Sequence, residues 1–583
     1  MRRILISLGV LIGMHASFIA HAQQDDLDDF VPVTDAMLEN PDPDDWLMWR
    51  GTQNHWGFSE LEQINRRNVA QLQLVWTRPL QPGVQEGTPL VYDGVMYFPH
   101  PADFTQAFNA ATGDLIWEYR RGMPDDVGDY VLFPQTNRNL AIYGRYILDN
   151  GADNFAYAID AVTGELAWET RILDYRLGGQ ASSGPIVGGG KVISGRSCAP
   201  RGGPEGCVVT AFDALTGEEA WRTHLIPRPG EPGYETWGDI PYEERRHVGS
   251  WMTPSYDPEL NRVFVGTSVT SPAPKFMISG NDEQYLYNNS TLSLDADTGE
   301  IVWYIQHIVD NWDLDHPFER LLVDTAVTPD PDSVEWINPR VRPGEVRSVV
   351  TGVPGKTGVF YSIDRDTGQF LWARQTIEQN VIESINTESG AAVINQDMLF
   401  TAVGQTKTVC PSLNGGKNYH SSAYSPLTNA VYTPMHNTCM EATSNSEEWD
   451  PNDAYALDTR MILAPGTENA GRLEAVSVET GETLWKREQR AGMTSVLATG
   501  SGLLFSGDAN GRFRALDQRT GEILWEVNLG SHVTGFPATF AVDGRQYVAV
   551  STGGSLNTMS LLGLAPELRA GTANNLYVFA LPQ

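Results

Sequence analysis

The sequence predicts an all-β fold, an eight-bladed β-propeller with tryptophan-docking motifs. Three observations predict it: a Thr-Gly-x-x-x-Trp motif recurs seven times, each copy lies between two strand-like segments, and both ends of the chain carry a further strand pattern. Length alone predicts about four domains of roughly 150 residues, but an internal repeat takes precedence over that expectation.

Each copy of the motif is typical of a β-hairpin, as in residues 156–160 before one turn and 166–170 after it. Glycine supplies the positive φ that the tight turn requires. The tryptophan follows at a fixed offset, where its ring can be buried between sheets and dock the next blade. We therefore expect these tryptophans to be structural and not catalytic. The seven copies begin at Thr112, Thr163, Thr216, Thr298, Thr367, Thr480 and Thr520.

The eighth blade is expected to combine both ends of the chain, with residues 74–78 near residues 575–581. Closing the ring in this way protects the sheet edges. Two long gaps between motif copies, from Trp221 to Thr298 and from Trp372 to Thr480, contain insertions. We expect these insertions to roof one end of the channel and to carry the function.

The chain begins as an exported protein does. Arg2 and Arg3 precede a mostly apolar run to Ile19 and then Ala20-His21-Ala22, a pattern typical of a cleavable secretory signal. We predict a signal peptide over residues 1–22 and a single propeller domain over residues 23–583. No later stretch approaches the ~20 apolar residues of a membrane span, so we expect a periplasmic protein without one.

The formal net charge of -33 excludes nucleic acid as the expected partner, because the phosphate backbone attracts the opposite sign. An acidic surface serves solubility, and it also suits a small basic electron carrier. Both explanations remain open.

Four cysteines in an exported chain predict two disulfides, for which three pairings are possible. The short loop between Cys198 and Cys207 favours that bridge, which leaves Cys410 with Cys439. The sequence contains no Cys-x-x-Cys-His, so no covalent c-type haem is expected on it.

Several polar signals lie between the later blades: Trp251, the segment 310–315, Lys356 and Asn418. Singly, each is more typical of a capped turn, a solvated lysine or a turn-forming asparagine. In their joint order they resemble the type I quinoprotein alcohol dehydrogenases, which use pyrroloquinoline quinone (PQQ) and include methanol and ethanol dehydrogenases. The resemblance covers nearly the whole mature chain. Residues 31–35, 310–313 and 578–583 are most similar to the sorbose and sorbosone dehydrogenase group.

The resemblance implies PQQ in the propeller channel beside Ca²⁺ or a lanthanide, and a soluble cytochrome c as electron acceptor. Asp313 matches the catalytic base, which takes the alcohol proton while hydride passes to the quinone. Trp251 matches the stacking residue and Lys356 the cation beside the quinone oxygens. The positions that match cofactor-binding residues are Glu86, Arg138, Ser182, Ser197, Trp251, Lys356 and Asn418.

The metal ligands depart from the family pattern. The usual Glu and Asn are replaced, the first at Ala199 or Pro200 and the second near Thr270 or Ser271. Because a hard cation needs several oxygens, we expect Asp315 to join Asp313 as a metal ligand, with Ca²⁺ favoured over a lanthanide. Glu205 is a further candidate.

The surroundings of the cofactor also differ from the family. Leu132 and Phe133 stand where many relatives carry an adjacent-cysteine disulfide, Gly249 replaces a Thr, and Met493 or a neighbour replaces a Trp. The lost bulk favours a sugar, a polyol or a bulky secondary alcohol as substrate over methanol.

Two other functions compete with this one. The first is a non-catalytic secreted propeller scaffold, which also carries repeated blade motifs but has no reason to place Trp251, Asp313, Lys356 and Asn418 in register. The second is a hydrolase in which two of Asp310, Asp313 and Asp315 act as acid and base, which leaves the stacking residue unexplained.

Overall fold

The structure is a computed structural model that describes residues 30–198, 202–278, 280–448 and 455–583. The predicted signal peptide over residues 1–22 lies outside these ranges. Within the described chain, no helix is long and apolar enough to cross a membrane.

The regular secondary structure of the described residues consists almost entirely of short strands. Strands in the first third are β1 (Phe58–Ser59), β2 (Gln73–Pro79), β3 (Leu90–Tyr92), β4 (Val95–His100), β5 (Phe104–Asn109), β6 (Leu115–Arg120), β7 (Ala141–Tyr143), β8 (Tyr146–Asn150), β9 (Phe155–Asp160), β10 (Leu166–Arg171), β11 (Ile186–Gly188), β12 (Lys191–Ser194), β13 (Val208–Asp213) and β14 (Glu219–His224). Those in the middle are β15 (Ser255–Asp257), β16 (Arg262–Gly266), β17 (Ser290–Asp295), β18 (Ile301–Gln306), β19 (Leu321–Val327), β20 (Trp336–Ile337), β21 (Glu345–Gly352), β22 (Val359–Asp364), β23 (Phe370–Gln375), β24 (Ile382–Ile385) and β25 (Ala392–Ile394). The last are β26 (Thr406–Val409), β27 (Ala423–Ser425), β28 (Ala430–His436), β29 (Thr438–Ser444), β30 (Leu457–Leu463), β31 (Gly471–Ser477), β32 (Thr483–Gln489), β33 (Met493–Thr499), β34 (Leu503–Asp508), β35 (Arg512–Asp517), β36 (Ile523–Asn528), β37 (Ala538–Val542), β38 (Arg545–Thr552) and β39 (Asn575–Ala580).

Among the described residues, helical structure is limited to short segments. The two α-helices found there are α1 (Asp35–Glu39) and α2 (Leu556–Gly563). The single-turn 3₁₀ segments are Val69–Gln71, Val127–Asp129, Tyr175–Leu177, Tyr234–Trp237, Tyr242–Glu244, Lys275–Met277 and Gln396–Met398.

Eight sheets each contain an antiparallel meander of four strands, as expected for the blades of a propeller. Seven of them follow the chain, and two of these seven gain a fifth strand at one edge: β20 beside β23, and β1 in parallel beside β33. The blades are β3–β6, β7–β10, β11–β14, β15–β18, β19 with β21–β23, β27 and β28 with β31 and β32, β33–β36, and β37–β39 with β2. The predicted β-propeller is confirmed.

The tryptophans of the repeat pack against the turn glycines of the next blade. A Cβ placed on Gly217 would lie 2.5 Å from the ring of Trp168, in the preceding blade, and the indole of Trp117 donates to the carbonyl of Ala161 at 2.9 Å. The turn glycines of all seven motif copies have positive φ, and each meets a tryptophan ring of the blade before it. The predicted docking role is confirmed.

The two ends of the chain close the ring. Strand β2 pairs antiparallel with β39, so that Trp76 lies opposite Val578. At the same junction Trp525, from the preceding blade, meets Phe579 edge to face at 5.4 Å. The eighth blade therefore has the composition that the sequence predicts.

The long gap before the sixth repeat holds the main insertion. It contributes the β24–β25 hairpin and a three-stranded sheet in the order β26, β29, β30, which we call the flap. Cys410, directly after β26, is bonded to Cys439 in β29, and Cys198 is bonded to Cys207. Both predicted disulfides are confirmed.

Candidate active site

Arg138 lies at one side of the site and joins three of the predicted residues. Its Nη2 forms an ion pair with Oε2 of Glu86 at 2.7 Å, and its Nη1 donates to the carbonyl and the hydroxyl of Ser182 at 2.8 and 3.0 Å. The guanidinium carbon is 5.2 Å from the ring centroid of Trp251. All of these groups except the indole are buried.

Trp251 links Arg138 to the acidic side of the site. Its Nε1 donates to Oδ2 of Asp315 at 3.3 Å, and its ring meets Phe318 edge to face at 5.4 Å. Trp251 is partly exposed, whereas the apolar side chains around it are buried. The packing therefore leaves indole surface accessible.

Lys356 is shared by the two aspartates. Its Nζ lies 2.9 Å from Oδ1 of Asp313 and 3.3 Å from Oδ2 of Asp315, and it also donates to the carbonyl of Asp313 at 2.9 Å. Oδ1 of Asp315 accepts from the amide of Val269 at 2.8 Å. The geometry pairs two carboxylates with one ammonium group.

The turn that presents Asp313 is held by Asp310. The Asp310 carboxylate accepts from the amides of Trp312 and Leu314 at 2.7 and 2.6 Å, which fixes the backbone on both sides of Asp313. Asp313 has φ of 69°, a left-handed conformation that costs free energy in a non-glycine residue and is concentrated at functional sites. Asp310 is occupied by backbone amides, which disfavours it as the acid or base of a hydrolase.

The two aspartates have opposite pKa shifts. Burial raises the pKa of Asp313 to about 8; Lys356 opposes the rise and the charge of Asp315 adds to it. Burial also acts against charge on Asp315, but Lys356, His247 and the Val269 amide outweigh it, so the pKa of Asp315 lies below its ordinary value. Asp315 is therefore the more acidic of the two carboxyl groups that contact Lys356.

Ser197 and Asn418 lie at the margins of the site. The amide and carbonyl of Ser197 pair with Gln180, and a Cβ on Gly249, two residues before Trp251, would lie 3.0 Å from the Ser197 Cα. Asn418 belongs to a segment that packs on Lys356, since the amide of Gly416 donates to the Lys356 carbonyl at 2.8 Å. The Asn418 side-chain amide donates to the carbonyl of Asn414, four residues earlier, at 2.8 Å.

The described residues do not form a metal cage. No group of three His, Cys, Asp or Glu side chains converges on a point within residues 30–198, 202–278, 280–448 and 455–583. Thr270 donates to the Arg246 carbonyl and Ser271 contacts His247. Glu205 is more than half exposed and bonds to Arg228 and Tyr242, so it does not enter the site. Ala199 and Pro200 fall outside the described ranges.

Sequence reasoning missed two tyrosines. The Tyr455 hydroxyl donates to Oδ1 of Asp313 at 3.0 Å, from a position 142 residues along the chain, and no local pattern signals that contact. The Tyr419 ring lies 5.4 Å from the Arg138 guanidinium carbon. Tyr419 directly follows Asn418 in the sequence, so the prediction of Asn418 as a cofactor-binding residue could have led to Tyr419.

Comparisons with known proteins give one result. The family model described as the glucose/ethanol/alcohol dehydrogenase β-propeller domain, of the PQQ type, matches residues 46–385 and 467–548. The dehydrogenase subunit of the quinone-type alcohol dehydrogenase of Acetobacter aceti is 31% identical over 575 residues, which cover 92% of this chain and 75% of that protein. Quinohemoprotein alcohol dehydrogenase ADH-IIG of Pseudomonas putida is 31% identical over 567 residues, covering 91% and 75%. The solved structure of that enzyme superposes with a TM-score of 0.84 at 27% identity, over 95% of this chain and 83% of the other.

Proposed function

Because this chain belongs to the β-propeller family of PQQ-dependent alcohol dehydrogenases, we propose that it oxidises an alcohol to a carbonyl compound at the site around Trp251. PQQ, when bound, supplies the two-electron acceptor for this oxidation. The observation that carries the proposal is an unbroken series of contacts through Glu86, Arg138, Trp251, Asp315, Lys356 and Asp313.

The residues present fit a flat, acidic cofactor. Trp251 offers accessible indole surface for stacking, and the Arg138 guanidinium beside it suits a carboxylate. Lys356 supplies a second cation, paired with the Asp315 carboxylate that accepts from the Trp251 indole. We assign the remaining cofactor contacts to Glu86, Ser182, Ser197 and Asn418.

Asp313 is the proposed catalytic base. Its carboxylate takes the hydroxyl proton of the alcohol while the carbinol C–H bond loses its hydride, so that the carbon–oxygen double bond forms from the electron pair of the broken O–H bond. Lys356 holds the carboxylate through an ion pair of 2.9 Å and supplies positive charge next to the reacting atoms.

The proposed cation is Ca²⁺, with a lanthanide as the alternative, at Asp313 and Asp315. These two carboxylates alone do not fit the six to eight oxygens that Ca²⁺ takes, and in this structure they hold Lys356. The proton transfer is therefore assigned to Asp313 and Lys356 without a step through the metal. Metal dependence is measured by adding Ca²⁺ or a lanthanide to chelator-treated protein.

A sugar, a polyol or a bulky secondary alcohol is the proposed substrate, in line with the sorbose-like sequence echoes and with Leu132 and Phe133, which are exposed. We further propose export to the periplasm and electron transfer to a soluble cytochrome c. The net charge of -33 supports steering of a basic carrier to this protein.

PQQ binding and alcohol-dependent dye reduction test the proposal. Apo-protein is titrated with PQQ, with and without Ca²⁺, while tryptophan fluorescence and then dye reduction are followed. Trp251→Leu is expected to weaken PQQ binding about 10- to 100-fold, the range of a lost aromatic stack. The matched control is Trp336→Leu, which removes another partly exposed indole in β20 and is expected to bind PQQ as the unaltered protein does.

The competing scaffold makes the opposite prediction. A non-catalytic propeller would bind no PQQ and reduce no dye with any alcohol, and that result would remove the proposal. Preferred turnover of methanol over larger alcohols would leave the reaction in place and overturn the proposed substrate class.

A further inference from the structure

The two oxygens of the Asp313 carboxylate have different surroundings. Oδ1 accepts from Nζ of Lys356 at 2.9 Å and from the hydroxyl of Tyr455 at 3.0 Å. Oδ2 accepts no hydrogen bond from any residue in the described ranges. An oxygen that already accepts two donors has its lone pairs engaged, so the second oxygen is the better proton acceptor.

From this asymmetry we propose that Tyr455 is a positioning residue for the base: with Lys356 it holds Oδ1 and turns Oδ2 of Asp313 towards the substrate proton. The inference rests on the proposed function. The Asp313 side chain is 17% exposed, against 9% for Asp315, so a substrate can reach the carboxylate that Tyr455 holds.

The position of Tyr455 is set by backbone pairing that does not involve Asp313. Tyr455 forms a parallel bridge with Ala273, and the amide of Ala456 donates to the Ala273 carbonyl at 2.9 Å. Its ring lies 6.3 Å from the ring of His247, edge to face. The backbone pairing with Ala273 therefore positions Tyr455 so that its hydroxyl reaches Asp313.

The loop that contains Ala273 is also hydrogen-bonded to the turn that carries Asp313. In the same loop as Ala273, the amide of Lys275 donates to Oδ1 of Asn311 at 2.9 Å, and the Lys275 ammonium donates to the carbonyls of Thr270 and Pro272 at 2.7 and 2.8 Å. The buried lysine closes the loop on itself. The loop that contains Ala273 and Lys275 therefore contacts both the Tyr455 backbone and the turn that carries Asp313.

The chain around Tyr455 connects the base to the flap. Tyr455 lies two residues before the start of β30, and the amide of Asn445, just after β29, donates to the Ala456 carbonyl at 3.1 Å. The Cys410–Cys439 bond holds β29 at its other end. The chain next to the flap therefore supplies a group that contacts the proposed base.

Tyr455→Phe tests the proposal, because it removes only the hydroxyl. For an alcohol substrate we expect kcat to fall about 10- to 100-fold, the range for a lost hydrogen bond to a charged group, with KM and PQQ binding within a factor of about two. The deuterium isotope effect on kcat, measured with an alcohol deuterated at the carbinol carbon, is expected to rise as the chemical step becomes slower. The control is Tyr287→Phe, whose hydroxyl donates to the Pro232 carbonyl away from the site.

Two outcomes overturn the inference while the proposed function stands: an unchanged kcat in Tyr455→Phe, or a loss of PQQ binding that parallels the loss of turnover, which would mark a structural role. If Tyr455→Phe fails to fold, fluorotyrosine is introduced at this position, because it keeps both the ring and the hydroxyl. A change of kcat with unchanged KM then supports the inference. An unchanged kcat opposes it. If the unaltered protein oxidises no alcohol with PQQ, the proposed function fails instead.

Discussion

Replacing Arg138 by Met is expected to destabilise the protein by about 3–5 kcal/mol, because it leaves a buried carboxyl group without its partner. Arg138 and Glu86 are 9% and 6% exposed, and their charged atoms are 2.7 Å apart. Burial raises the pKa of Glu86 and Arg138 opposes the rise. With an unfolding entropy of about 2.1 cal/mol/K per residue, the melting temperature of this 583-residue chain should fall by about 2.5–4 °C.

The double variant Arg138→Met with Glu86→Gln separates folding from cofactor binding. It is expected to regain most of the stability, because replacing both partners of a buried pair is often neutral. PQQ binding should remain about 10- to 100-fold weaker, because the cation for its carboxylate is still missing.

Urea unfolding of apo-protein and fluorescence titration with PQQ measure the two effects. Arg460→Met is the control, since its pair with Glu441 is exposed and should contribute under about 1 kcal/mol. Unchanged unfolding of Arg138→Met would refute the structural part of the reasoning. Full PQQ affinity in the double variant would show that Arg138 is not a cofactor ligand.

Three further predictions follow from the site and the fold. Asp313→Asn should lower kcat about 10²- to 10⁴-fold with the fold intact, whereas Asp324→Asn, an exposed carboxylate, should leave kcat unchanged; retained turnover would mean that another residue is the base. Gly217→Ala places a Cβ 2.5 Å from a tryptophan ring. It should lower the free energy of unfolding by about 1–3 kcal/mol more than Gly230→Ala, a position that also has positive φ but has open space around it. Equal losses on urea unfolding would refute the docking role. Stability should fall from pH 6.5 towards pH 4, because burial lowers the folded-state pKa of several histidines and the unfolded chain binds their protons first. Among them are His55 and His100, with pKa about 3, and His436, with pKa about 4. Each of these three should cost roughly 2 kcal/mol at pH 5, and a flat urea midpoint between pH 7 and 5 would contradict this.

The blades were predictable because their signals are local. A glycine turn and the tryptophan behind it lie within six residues of one another, so each hairpin is encoded in one short window, as at Thr216 and Trp221. The eighth blade was predicted from strand patterns at both ends of the chain, since seven motif copies account for only seven blades. The sheet pairings confirm both expectations.

The details of the site were less predictable because they depend on distant segments. The contact between Tyr455 and Asp313 joins a residue just before the flap strand β30 to a loop 142 positions earlier, and no periodicity encodes it. In the sequence Asp310 is one of three similar carboxylates. Only the hydrogen bonds from the amides of Trp312 and Leu314 show that Asp310 holds the turn, whereas Asp313 is the candidate base. Glu205 was a candidate because it lies in the loop between Cys198 and Cys207, but its side chain binds Arg228 and Tyr242 instead.

The closing blade also constrains the order of assembly. Strand β2 emerges early in synthesis, yet its partner β39 is made some 500 residues later, so this sheet edge stays unpaired until nearly the whole chain is available. A premature stop before residue 575 would leave an open ring with an unprotected strand, which is prone to aggregate. A circular permutant that begins at Leu529, before β37, would bring β37, β38, β39 and β2 together at the start of the chain. Its refolding rate would show whether this late pairing limits assembly.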